Sequence, residues 1–334
     1  MVVVFSHASS IGLHLHPSFD WRGTGRLGVF LFFVLSSFLL TRIALAAPAG
    51  ELRRPKYWGE YVQRRLLRVL PVYLVILVLY FLLEGWDARR TFDHVLMIRS
   101  ERHLWTIPVE LRWYGVLPLV VLLLALCRRW LWLGAIGLML LAGAVRLYSV
   151  PDYAAKAPDF APALMPFMPI FLMGSVAAVL HKLWVGSKLD RSPWSKSLWE
   201  AAGWLAFAGL VLHFPSIRQA ISGEAIEHTR YHLLFDRFGI LCSVLLLGTL
   251  LGQGFLRRIF ELRVLRGIGA ISYSLYLVHR MILDRVVDNA AAWSDPLPML
   301  FFLFASISLA WLLWRAVERP GMGLGKTRAG RTGA

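Results

Sequence analysis

The sequence predicts an all-α integral membrane protein: a polytopic helical bundle with about nine complete spans and a truncated first helix. Three observations carry this. The chain of 334 residues is 57% hydrophobic with mean hydropathy +0.59. Its apolar residues fall in long blocks rather than at amphipathic spacing, and its basic residues gather between those blocks. A helix needs roughly 20 mostly apolar residues to cross a hydrocarbon core about 30 Å thick, and it must close its own backbone hydrogen bonds there.

The elements follow in order. Residues 1–16 begin with apolar Met1-Val2-Val3-Val4-Phe5, then carry Ser6, His7, Ser9, Ser10, His14 and His16. This stretch is too short and too polar to span alone, so it reads as the outer end of a helix whose inner half is missing. Complete spans are expected over 27–47, 66–83, 105–127, 131–147, 163–181, 198–214, 238–256, 267–283 and 297–315. The run after Arg22 and Arg26 has the look of a signal peptide, but it starts well inside the chain and further spans follow it. The longest connections on the outer side are 84–104, 148–162 and 215–237, the last rich in Glu224, Glu227, His228, Arg230, His232 and Asp236. With short loops and no repeat, 1–320 reads as one membrane domain and 321–334 as a basic tail.

The formal charge of +16 would suggest nucleic acid in a soluble protein. Here it reports topology. With loops assigned alternately, 22 of the 36 Lys and Arg fall on the side that also holds the C-terminus, and the positive-inside rule makes that side cytoplasmic. No nucleic-acid partner is expected. Cys127 and Cys242 lie far apart in or beside apolar runs, which argues against a disulfide framework and a zinc site, and no metal is expected.

Polar constellations at membrane depth carry the chemistry, because each ionisable group there costs roughly 2.5–3.5 kcal/mol to insert. His7 is able to take a proton from a hydroxyl near neutral pH, or simply to bond water at a helix end. Ser36 and Ser37 sit inside the aromatic run Gly28 to Leu40, where small hydroxyl residues allow close helix packing. Arg65 and Arg68, three apart before Pro71, share a helical face and form a fork for phosphate or carboxylate; cytoplasmic anchoring explains them equally well. In Trp105-Thr106-Ile107-Pro108-Val109-Glu110-Leu111-Arg112-Trp113-Tyr114, the i, i+4, i+8 spacing puts Glu110 between the hydroxyls of Thr106 and Tyr114. Arg112 points about 200° away around the helix and is a poor partner for it. Ser272, Tyr276 and His279 share another face, with His279 expected to orient substrate or structure rather than act as base.

Taken in order, these pieces and the closing Val317-Glu318-Arg319-Pro320 resemble the acyltransferase 3 family of membrane O-acyltransferases, which includes O-antigen acetylases. The resemblance extends over nearly the whole chain. It departs where the family usually has Gly and this chain has Ser37, and in lacking an Arg about ten residues before the histidine. The resemblance implies about ten helices in the bacterial inner membrane. It also implies transfer of an acyl group, commonly acetyl, from cytosolic acyl-CoA as co-substrate to a hydroxyl of a carbohydrate or lipid-linked glycan, with no bound cofactor. It makes His7 the catalytic base or transient acyl carrier and Glu110 its catalytic partner. Arg65 and Arg68 then hold the donor's phosphates, supported by Ser36, Trp105, Tyr114, Tyr276 and His279. Membrane lipid, acyl-CoA and the glycan acceptor are the expected partners. The competing readings are a glycolipid transporter or flippase, and an inactive acyltransferase with a truncated first helix.

Overall fold

The computed structural model describes residues 1–16, 20–156, 163–223, 234–290 and 296–330. Among them the chain is helical, in the order α1 (Val2–Ser10), α2 (Gly25–Ala46), α3 (Ala49–Leu52), α4 (Pro55–Leu83), α5 (Ala88–Val95), α6 (Thr106–Leu126), α7 (Leu131–Lys156) and α8 (Met168–Trp184). It continues with α9 (Pro193–Leu212), α10 (Pro215–Ser222), α11 (Phe235–Leu251), α12 (Phe255–Glu261), α13 (Arg263–Ala270), α14 (Ser272–Ala290), α15 (Leu297–Leu313) and α16 (Arg319–Gly330). Of the polar residues noted in the 215–237 connection, Glu224, Glu227, His228, Arg230 and His232 lie outside the described residues.

Six helices among the described residues are long and apolar enough to cross a membrane, or eight if two bent pairs each make one span. The bends explain why this differs from the nine that the apolar runs suggest. α9 turns into α10 by 78° and α11 into α12 by 92°. Glu200 holds the second bend, accepting from the backbone N–H of Gly254 (3.1 Å) and of Leu256 (2.8 Å) and from Trp204 Nε1 (3.1 Å). The expected span 267–283 is divided between α13 and α14, and α14 carries Arg280, Asp284, Arg285 and Asp288, which dilute its apolar content.

The bundle is apolar on its outer face as well as inside. Leu39, Ile43, Leu82, Leu140 and Phe304 are exposed, and Leu126 is 82% exposed. Such a girdle of large apolar side chains is stable facing lipid and unfavourable facing water. The interior is built by aromatics: Phe33 of α2 stacks on Phe171 of α8 (4.4 Å between centroids), and Trp113 of α6 stacks on the same ring at 4.9 Å. Close approach of α2 to α8 depends on Gly174, where a Cβ would lie 2.4 Å from the Val34 carbonyl oxygen.

α4 and α14 run side by side, and α14 lines the site. Tyr273 Oη donates to the Val69 carbonyl at one end (2.7 Å), and Arg285 donates to the Leu83 carbonyl at the other. The 14 residues between Val69 and Leu83 separate these two ends by about 20 Å at 1.5 Å per residue. Near the Val69 end, Pro71 has no N–H to offer the Leu67 carbonyl four residues back. α16 packs on that freed carbonyl through Gly321, where a Cβ would come within 2.7 Å of it. The π-turn Trp314–Glu318 that precedes α16 buries Glu318, which accepts from Ser274 Oγ at 2.6 Å.

Candidate active site

Two cavities meet between α1, α2 and α14. One, of about 320 Å³, is lined by His7, Arg26, Arg102, His103, Trp105, Tyr276 and Arg280, among others. The other, of about 240 Å³, is mostly apolar, with Glu110, Thr106 and Tyr276 as its polar edge. Val3, Val29 and Tyr276 line both. Tyr276 is therefore the wall between a histidine cluster and a buried carboxylate.

The histidine cluster is assembled from three distant segments. α1 supplies His7, the short helical turn Arg102–Trp105 supplies His103, and α14 supplies His279. His7 Nδ1 lies 2.8 Å from His279 Nε2, with the rings stacked 5.0 Å apart. His103 meets His279 edge-on at 5.0 Å. His279 and His103 are buried, at 0% and 3% exposure, in a setting where an unpaired charge would be costly.

The hydrogen bonds fix the tautomers of neutral rings. His279 Nδ1 lies 2.7 Å from the Tyr276 carbonyl and 3.2 Å from that of Leu275. A carbonyl only accepts, so His279 Nδ1 bears the proton and its Nε2 offers a lone pair. His7 Nδ1–H must then donate to that lone pair. The basic nitrogen of neutral His7 is consequently Nε2, on a side chain that lines the larger cavity. The same logic makes His103 Nε2 a donor to the Leu277 carbonyl (3.0 Å), which leaves its buried Nδ1 as an acceptor with no hydrogen-bond partner among the described residues.

Glu110 is 2% exposed and accepts two hydroxyls on one oxygen, Ser36 Oγ at 3.0 Å and Tyr114 Oη. It therefore ties α6 to α2 while its side chain edges the smaller cavity. Ser37, about 100° further round α2, faces the other way and bonds Ser175 Oγ of α8 at 2.9 Å. Of the adjacent serines, one belongs to the site and one to the packing. Arg112 reaches the Met97 carbonyl at 3.4 Å, away from Glu110, as its position on the helix predicts.

Arg65 and Arg68 lie near the Val69 end of α4. Arg64 pairs with Glu60 at 3.3 Å, whereas Arg65 Nε is buried with no hydrogen-bond partner among the described residues. Arg68 is within electrostatic reach of both Glu110 and Glu318. At the far end, Arg102 pairs with Asp284 Oδ2 and Arg280 Nε lies 3.1 Å from Asp284 Oδ1. Arg102 has φ of +52°, a left-handed conformation costing a branched-chain-free L residue on the order of 1–3 kcal/mol.

Of the residues expected at the site, His7, Trp105 and Tyr276 line the larger cavity and Glu110 and Tyr276 the smaller, with Ser36 and Tyr114 bonded to Glu110 and His279 to His7; Arg65 and Arg68 are in the lining of neither. Sequence reasoning missed His103, which falls two residues before Trp105, where the aromatic-acidic motif begins, in a turn with no periodicity to flag it. It also gave no role to Glu318 or to the arginines at the Leu83 end.

A helical bundle with an apolar outer face, several membrane-length apolar helices and ionisable groups enclosed within it defines a multi-pass membrane protein. Comparison with known proteins supplies the chemistry. The family model described as Acyltransferase domain matches residues 1–315, and the chain belongs to that family of acyltransferases. Two Staphylococcus aureus proteins, from strains COL and MSSA476 and each named Putative O-acetyltransferase, are 24% identical to it. Each alignment covers 91% of this chain and 54% of the relative, so the chain spans about half the length of the curated relatives it matches. No solved structure matches the chain.

Proposed function

We propose that the protein moves an acyl group, acetyl in the simplest case, from acyl-CoA to a hydroxyl of a cell-surface carbohydrate or lipid-linked glycan. The observation that carries this is the anchoring of His7 Nδ1 by His279, which leaves Nε2 as a base beside the larger cavity. The acceptor's O–H gives its proton to His7 Nε2 as its oxygen attacks the thioester carbonyl. The tetrahedral adduct then collapses with cleavage of the C–S bond, and the departing thiolate takes the proton back from the imidazolium as CoA thiol. Glu110 orients a reacting group beyond Tyr276. Arg65 and Arg68 hold donor phosphates by charge-assisted bonds.

This assigns the two ends of the α4–α14 pair. The Arg65 and Arg68 end is the donor mouth, in the cytosol together with the C-terminus and the basic tail 321–334; residues 1–320 form the transmembrane catalytic domain. The Arg102 and Arg280 end admits the acceptor from the opposite side of the cell membrane.

Acyl transfer from labelled acetyl-CoA by reconstituted protein tests the reading. His7→Ala is expected to lose about 10²- to 10⁴-fold of turnover, the usual worth of a general base. Undiminished turnover removes His7 from the mechanism. Movement of a labelled glycolipid across the bilayer without acyl-CoA, and without acylation, would replace the transferase by a transporter.

A further inference from the structure

The acceptor end carries more positive charge than the acyl-transfer step requires. Arg26, Arg102 and Arg280 line the same cavity as His7, and Asp284 is paired with two of them. The guanidinium groups of Arg102 and Arg280 share the single carboxylate of Asp284, which leaves net positive charge on this wall of the cavity. Arg280 Nε is buried and has no hydrogen bond of good geometry, although Asp284 Oδ1 lies 3.1 Å away. Arg102 is held there by a strained backbone, and such strain persists where the surroundings hold a side chain in a chosen place. A neutral sugar hydroxyl needs none of this, since neutral hydroxyls are bound by neutral donors and acceptors at less desolvation cost.

We propose that the acceptor is an anion: a carbohydrate or lipid-linked glycan bearing an oxyanion, phosphate or carboxylate, beside the hydroxyl that is acylated, with Arg102 and Arg280 as its specificity-determining residues. Planar guanidinium groups suit both oxyanions, because each presents paired oxygens to the arginine fork. The donor's phosphates do not explain this end. Arg65 and Arg68 sit near Val69, about 20 Å along α4 from the Leu83 end where Arg285 and its neighbour Asp284 sit. His7 stands in the same cavity as Arg102 and Arg280 rather than with Arg65 and Arg68. Asp284 bridges the two arginines, one on each carboxylate oxygen, and Trp105 gives the cavity an aromatic wall.

The inference rests on the transferase reading, and the test separates the two. Reconstituted protein with acetyl-CoA is offered methyl α-glucoside, glucose 1-phosphate and methyl β-glucuronide, while equilibrium binding of the same three compounds is measured without donor. Preference for one or both anionic compounds by at least tenfold in kcat/KM and in affinity is expected, and which of them is preferred separates phosphate from carboxylate. Arg102→Gln and Arg280→Gln are expected to bring that preference ratio toward one. Arg68→Gln is expected to raise the KM for acetyl-CoA and leave the ratio intact. Equal binding of charged and neutral compounds overturns the anionic acceptor, as does a preference that survives both arginine substitutions. Anion-selective binding without transfer to any acceptor sinks the transferase reading and leaves the oxyanion site standing.

Discussion

The His7–His279 contact sets the tautomer of the proposed base, and replacing His279 by leucine isolates that effect. Leucine fills a similar apolar volume but accepts no hydrogen bond, so His7 Nδ1–H loses the partner now 2.8 Å away. A typical hydrogen bond contributes about 0.5–1.5 kcal/mol net, and a buried donor left unpaired costs about 1–3 kcal/mol. The His7 tautomer with its proton on Nε2 escapes that cost, and it is not a base toward the acceptor. At 1.4 kcal/mol per decade, holding the productive tautomer is worth about 5- to 150-fold. The expected result is a fall of that size in kcat for His279→Leu with the acceptor KM little changed, because binding precedes the proton transfer. Steady-state acyl transfer in proteoliposomes gives both constants, and thermal unfolding in detergent shows that the variant is folded. His279→Gln supplies a side-chain oxygen as acceptor and is expected to retain most of the activity. A folded His279→Leu protein within twofold of the parent, or Gln and Leu variants that fall equally, would refute the reasoning.

Three further predictions follow from particular contacts. Glu110→Ala strands the Ser36 and Tyr114 hydroxyls, at about 1–3 kcal/mol for each buried group, and is expected to lower the unfolding temperature. Glu110→Gln keeps an acceptor for both and is expected to fold normally while losing turnover, so normal turnover there would remove the carboxylate's charge from the chemistry. Gly174→Ala places a methyl group 2.4 Å from the Val34 carbonyl and is expected to cost about 1–3 kcal/mol by overpacking, whereas Gly137→Ala, mid-helix with open space around it, is expected to stabilise by up to about 1 kcal/mol; unfolding temperatures of the two compare directly. Finally, burial lowers the pKa of His94, whose Nδ1–H donates to the Arg90 carbonyl and whose Nε2 accepts the Glu101 N–H. Its unfolded value is about 6.5, so its stabilising effect is complete above that pH and is lost as pH falls toward the lower folded value. Hydrogen exchange over 84–101 is expected to speed up on going from pH 7 to pH 5 beyond the intrinsic pH trend, and His94→Asn is expected to remove that excess.

Much of the site was legible as residue types and much less as geometry. The i, i+4 relation of Glu110 and Tyr114 was readable because it lies within one helix, where spacing alone dictates contact. The separate fates of Ser36 and Ser37 were not readable. Both are small hydroxyl residues in one apolar run, and only the neighbours that α2 acquires decide that one meets Glu110 and the other Ser175. His279 reads from the sequence as a group that orients substrate or structure, but that it meets the His7 ring is set only by the packing of α1 against α14. The bends at α9–α10 and α11–α12 were hidden for a related reason. An apolar run reports the solvent it needs and not its direction, so two broken helices read as straight spans.

The sequence by itself determined that the chain is helical and membrane-embedded, which polar groups interrupt its apolar runs, and which family it belongs to. Those properties depend on composition, on local periodicity and on ordered motifs, all of which are written along the chain. Tertiary structure alone decided that His7 touches a residue 272 positions away, that His103 joins them, and that Arg102 and Arg280 crowd the same cavity. Helix periodicity says which side chains share a face. Which face meets which depends on close packing between distant segments, at positions such as Gly174 and Gly321 where a single methyl group would forbid the approach.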